Sequence, residues 1–201
     1  MRFTRICLAV SLVALTCFAA AQEMAKMTPK KTGPSDAAYK AKALAAAPAG
    51  IAKDAGVARF GKDGKMETLR ESKNGFTCMV IMDNPMCADA NSMAFFDAMM
   101  NKQTPPDKLG LTYMLSGDKG ASNTDPSADK KTADNHWVVT GPHVMIVGPG
   151  AKSLGLSEAA DADPTKPYMM WAGTPYEHAM IPVGGAKAAA KPMAEMAKPA
   201  N

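Results

Sequence analysis

The 201-residue chain is poor in the groups that usually carry catalysis: it has three histidines (His136, His143, His178) and four cysteines (Cys7, Cys17, Cys78, Cys87). It contains no Gly-x-Ser-x-Gly elbow, no His-Glu-x-x-His pair and no phosphate-binding glycine loop. These absences remove the common hydrolase, zinc-peptidase and nucleotide-binding signatures. No Cys-x-x-Cys occurs either, so a dithiol redox centre and a covalently attached c-type haem both lack their sequence. No apolar run approaches the ~20 residues of a membrane-spanning helix, and no transmembrane span is expected. A basic face for nucleic acid is missing as well. The net charge of +4 resides in the two ends, because residues 51–183 carry 13 basic and 16 acidic side chains.

The first residues have the form of an export signal. Arg2 and Arg5 supply the positive region, Ile6 to Ala14 the apolar core, and Ala19-Ala20-Ala21 a small-residue cleavage site. Cys17 follows Ala14-Leu15-Thr16, a poor lipobox because Thr stands where Gly or Ala is wanted, so cleavage near Ala21 without a lipid anchor is the expectation. The resulting expectation is a periplasmic or secreted protein. Residues 22–53, rich in Ala, Lys and Pro, read as a flexible leader, and residues 184–201 (GGAKAAAKPMAEMAKPAN) as a disordered tail. Residues 54–183 remain for a single globular domain.

Cleavage removes Cys7 and Cys17, leaving Cys78 and Cys87 as an even pair in an exported chain, which predicts a disulfide. Strand signals open the domain. Val57–Phe60 and Met66–Leu69 flank the Asp63-Gly64 turn, and Asn74-Gly75 leads into Phe76–Ile81. A three-stranded antiparallel meander follows from this spacing. The Cys78–Cys87 loop, with Asp83-Asn84-Pro85, is expected to turn the chain into a helix over Ala88–Lys102, capped by Asp89 or Asn91. Leu109–Leu115, His136–Thr140, Val144–Val147, Tyr168–Trp171 and Ala179–Val183 read as further strands, and residues 116–135 as a long surface loop. The fold class is α+β, a mainly antiparallel sheet with one principal helix packed on it and disordered tails.

The sharpest pattern is a repeat. Gly141-Pro142-His143-Val144-Met145 and Tyr176-Glu177-His178-Ala179-Met180 each place a His and a Met two residues apart in an apolar run. On a strand such positions share a face, so each copy offers an imidazole beside a thioether. Neighbouring strands would combine His143, Met145, His178 and Met180 into a nitrogen–sulfur set suited to copper(I). A haem held by one His and one Met is a weaker fit to a sheet domain. Two other readings stand beside the metal: Met as a core gap-filler around buried histidines, in a structural or partner-binding envelope protein without ligand, or an enzyme of unknown reaction using His143 or His178 as acid/base. For the second, Glu177-His178 and Asp134-x-His136 can orient an imidazole. Asp118, Asn123, Asp125, Asp129 and Asp134 offer oxygens in the long loop, but not at calcium-loop spacing.

The blocks Asn74-Gly75-Phe76-Thr77-Cys78, Thr140-Gly141-Pro142-His143-Val144-Met145-Ile146 and Trp171-Ala172-Gly173-Thr174-Pro175-Tyr176, the last with His178-Ala179-Met180-Ile181-Pro182, resemble a group of uncharacterised exported bacterial proteins. The resemblance covers most of residues 54–183. It implies a secreted or periplasmic setting and brings no activity and no site.

Overall fold

The computed structural model describes residues 35–184. The expected signal segment, the first part of the expected leader and residues 185–201 of the expected tail lie outside them. Gly56–Phe60 (β1) and Met66–Arg70 (β2) fold back on each other across the Asp63-Gly64 turn, where Gly64 has φ +75° and the Gly61 N–H donates to the Lys65 carbonyl at 2.7 Å. Phe76–Ile81 (β3) then pairs with β1 in parallel, not with β2, so the expected meander does not form. Val57 lies opposite both Arg70 on β2 and Cys78 on β3. Residues 71–75 therefore pass round the start of β1, about two strand spacings of ~4.8 Å, well within the reach of five residues.

The segment expected to loop from Cys78 towards the helix is a strand instead, Asn84–Asp89 (β4). Met82 (φ 48°) and Asp83 (φ 69°) form a two-residue hairpin turn with both residues left-handed. This places Cys78 directly opposite Cys87, and the two are disulfide-bonded as expected. Pro85 is tolerated because pairing of β4 with the next strand begins only at Cys87.

Asp89 starts the helix Ala90–Met100: its Oδ1 accepts the Ser92 N–H at 2.8 Å. Its Oδ2 accepts the Leu111 N–H at 2.9 Å, which ties the helix start to Gly110–Met114 (β5). Gly110 is required there, since a Cβ would lie 2.4 Å from the Ser92 backbone nitrogen. Ala121–Ser122 (β6) and Trp137–Val138 (β7) form a small two-stranded ribbon. His143–Val147 (β8), a 3-10 helix over Pro149–Leu154, Tyr168–Met170 (β9) and His178–Pro182 (β10) complete the chain. The main sheet has eight strands in the order β2-β1-β3-β4-β5-β8-β10-β9, antiparallel throughout except for β1–β3. The fold is α+β with a mostly antiparallel sheet.

Helical structure lies on both faces of this sheet. Asp36–Leu44 (α1) and Ala49–Ala52 (α2) fall in the stretch read as a leader, yet both belong to the compact unit that contains the sheet. Ala43, Ala46 and Ala47 are buried against Val57 and the disulfide. Their small side chains let the backbone sit close to the sheet, and Tyr39 anchors it: its hydroxyl donates to Ala58 O and accepts from the Val80 N–H, each at 3.0 Å. Because side chains alternate along β3 and β4, Met79 and Met86 face the other way, into the cluster with Phe95 of Ala90–Met100 (α3). No helix among the described residues is long and apolar enough to cross a membrane.

Candidate functional site: a methionine-lined cavity with two histidines

The two His-x-Met copies occupy adjacent strands. β8 and β10 pair antiparallel with Met180 opposite Met145, Pro182 opposite His143 and Val147 opposite His178. Residues directly opposite share a face, so His143, Met145, His178 and Met180 all project from the same side of the sheet. That side forms part of the wall of a cavity of about 280 Å³, with Phe96, Met99 and Met100 of α3 on another side. Eight methionines line it: Met82, Met86, Met99, Met100, Met114, Met145, Met170 and Met180. The structure thus brings the four sequence-predicted residues to one cavity. The register also sets the two imidazoles at opposite ends of the patch, four strand residues apart, or about 14 Å between their backbones.

The repeat has a shared local geometry. His143 Nδ1 lies 2.7 Å from Gly141 O, and His178 Nδ1 lies 3.0 Å from Tyr176 O, the carbonyl two residues earlier in both cases. A carbonyl only accepts, so Nδ1 carries the proton in each ring and Nε2 keeps its lone pair. Both rings are buried, with 0 % exposure at His143 and 1 % at His178, and His143 Nε2 has no hydrogen-bond partner. Burial pushes the His178 imidazole down to about 4, against the weaker opposing pull of the Tyr176 carbonyl. Burial also lowers His143, opposed by the Gly141 carbonyl and by the charge of Asp118. Both rings are neutral bases at neutral pH.

Aromatic rings enclose the His178 end. Trp171 meets the imidazole edge-on at 4.8 Å between centroids and Phe95 at 6.1 Å. Trp171 is itself fixed by its Nε1–H, which donates to Ser122 O at 2.8 Å. The His143 end has the cavity's carboxylate, Asp118. Its Oδ1 accepts the Gly120 and Thr140 N–H groups at 2.9 Å each, and burial raises its pKa despite those bonds and the nearby His143.

The remaining sequence candidates lie elsewhere or serve structure. Cys78 and Cys87 face the opposite side of the sheet, packed with α1. His136 pairs with Asp161 at 2.8 Å, not with Asp134, and Glu177 turns its Oε2 to the Gly173 N–H at 2.7 Å rather than to His178. Asn123 donates from Nδ2 to the carbonyls of Ala159 and Ala160 and so braces the loop, while its buried Oδ1 has no hydrogen-bond partner. Among the described residues, no three of His, Cys, Asp and Glu gather as a zinc or calcium site would require. Met169-Met170 offers further thioethers in the sequence and Trp171 a pocket-lining ring, and Met170 and Trp171 line the cavity; Met114 and Asp118 are lining residues that the sequence did not single out as belonging with the two histidines. The signal for Met114 is its cross-strand position opposite His143, which depends on strand order. Family models, curated proteins and solved structures give no match to this chain.

Proposed function

We propose that the chain is an exported binding protein that takes the soft ion copper(I) into the methionine-lined cavity, with His143, Met145, His178 and Met180 among its donors. The observation that carries this reading is the paired tautomer lock. Both imidazoles commit Nδ1 to a backbone carbonyl, which leaves Nε2 as the basic nitrogen, and both rings line the methionine-rich cavity. Metal-bound histidines characteristically use the second nitrogen in this way, which fixes the ring and raises its donor strength. The donor types select the ion. Thioether and imidazole favour copper(I), whereas a cavity with Asp118 as its carboxylate offers too little oxygen for calcium or magnesium. The export-signal pattern of residues 1–21 and the Cys78–Cys87 disulfide support action outside the cytoplasm.

The test is titration with copper(I), kept reduced by ascorbate, against a chromophoric chelator. Withdrawal of copper from the chelator by the wild-type protein, and loss of that competition in His143→Ala/His178→Ala, is the expected result. A wild-type protein that removes no copper from the chelator overturns the reading and leaves the methionines as packing.

A further inference from the structure

Strand register divides the cavity floor more finely than the His-x-Met repeat does. On β5, Met114 stands directly opposite His143, and on β9, Met170 stands directly opposite His178. Both methionines line the cavity. His143 therefore has one thioether across the strand gap, Met114, and one two residues along its own strand, Met145. His178 has the same arrangement with Met170 and Met180. Opposite neighbours in an antiparallel sheet bring their Cβ atoms to about 4.5–5.5 Å, within reach of a shared ion for long side chains.

Resting on the copper(I) reading above, we propose that the cavity holds two copper(I) positions, His143 with Met114 and Met145, and His178 with Met170 and Met180. A single ion held by both imidazoles would need its two nitrogens about 4 Å apart, twice a metal–nitrogen bond of ~2 Å. The backbones of His143 and His178 are about 14 Å apart, so a shared ion would require both rings to extend fully towards each other, whereas each ring has two thioethers beside it. A closed-shell d10 ion has no ligand-field demand for a fourth donor, so one nitrogen and two sulfurs suffice.

The two positions differ in charge. Asp118 places a carboxylate near His143, whereas the His178 end is walled by Trp171 and Phe95. An ion at the first position is neutralised by Asp118. One at the second has no carboxylate beside it and lies against the apolar wall that includes Trp171. Two monovalent ions roughly 7 Å apart, each midway between its histidine and the central Met145–Met180 row, also repel. The His143 position fills first, and the second equivalent binds about 10- to 100-fold more weakly.

Native mass spectrometry alongside the chelator titration counts the ions, and X-ray absorption counts the donors of each. The expected result is two equivalents, each with one nitrogen and two sulfurs. Met114→Leu should weaken the first equivalent and Met170→Leu the second, and both substitutions conserve volume and so preserve the fold. One equivalent with two nitrogens and two sulfurs, insensitive to both leucine variants, overturns the two-position arrangement while leaving copper binding in place. Absence of any copper uptake by the wild-type protein overturns both.

Discussion

Acid should unfold this protein earlier than its carboxylates alone require, because of His178. The ring is 1 % exposed, and burial holds its pKa at about 4 against 6.5 for a free imidazole. The unfolded chain takes up a proton as pH falls through about 6.5, while the folded chain refuses it until pH 4. The stabilisation of the neutral ring is thus complete above pH 6.5 and is lost progressively down to 4. At ~1.4 kcal/mol per pH unit, the interval from 6.5 to 5 costs about 2 kcal/mol from this residue, and the full interval about 3 kcal/mol. His143 adds to the loss, since its pKa is also lowered. Asp118 works the other way, because its raised pKa lets the folded chain take a proton first as the solution becomes acidic. Urea unfolding of the metal-free protein at pH 7, 6 and 5, followed by circular dichroism with the disulfide intact, measures the sum. The midpoint should fall steadily across this range with an unchanged m-value, and His178→Gln should flatten the slope. Equal midpoints at pH 7 and pH 5 in the wild-type protein would refute the argument.

Reducing the Cys78–Cys87 disulfide, or replacing both cysteines by alanine, should lower stability by about 2–3 kcal/mol on the chain-entropy model for a closed loop of this size. Because the pair faces α1 and not the cavity, copper(I) uptake by the double alanine variant below its melting temperature should persist, which the chelator assay checks. Gly110→Ala should cost about 1–3 kcal/mol or more, since its Cβ would fall 2.4 Å from Ser92 N and 2.9 Å from Ser92 Cα, forcing the first turn of α3 away from β5. Thermal unfolding by circular dichroism reads that loss, and an unchanged Tm would contradict the close approach.

Local chemistry was legible in the sequence where it decides structure locally. Phe76–Ile81 is an apolar run entered from Asn74-Gly75, and it is a strand over the same residues. Asp89 caps its helix because an acidic side chain stands before Ala90 and can reach the Ser92 N–H. Asp83-Asn84-Pro85 misled because turn-forming residues extend into β4, where Pro85 is allowed only by the absence of a β5 partner at that point. Helical turns are readable over Ser35–Ala47 from its Ala, Lys and Leu, but the packing of the helix Asp36–Leu44 on the sheet is concealed by its alanines, which give no contrast between a buried and an exposed face. At the cavity, alternation alone placed His143 beside Met145 and His178 beside Met180. It could not place Met114 or Met170, because those neighbours follow from strand order: β5 lies against β8, and β9 against β10.

The histidines, more than the methionines, separate a binding cavity from a merely soft core. Methionine fills irregular space at little cost, and a chain with 17 of them will bury many. A buried imidazole nitrogen without a partner is different, costing about 1–3 kcal/mol that a methionine or leucine at position 143 would not incur. Ser92 Oγ, Thr112 Oγ1, Asn123 Oδ1 and Glu177 Oε1 are also buried without partners, but the first two are small hydroxyls, and Asn123 and Glu177 brace backbone groups of nearby loops through their other polar atom. His143 instead commits a whole ring to the cavity, with Nδ1 tied to Gly141 and Nε2 left open. The same bond to the carbonyl two residues earlier recurs at His178 on the neighbouring strand. Packing alone needs neither the ring nor its orientation, whereas a soft cation needs both: a lone pair held ready and thioethers within reach.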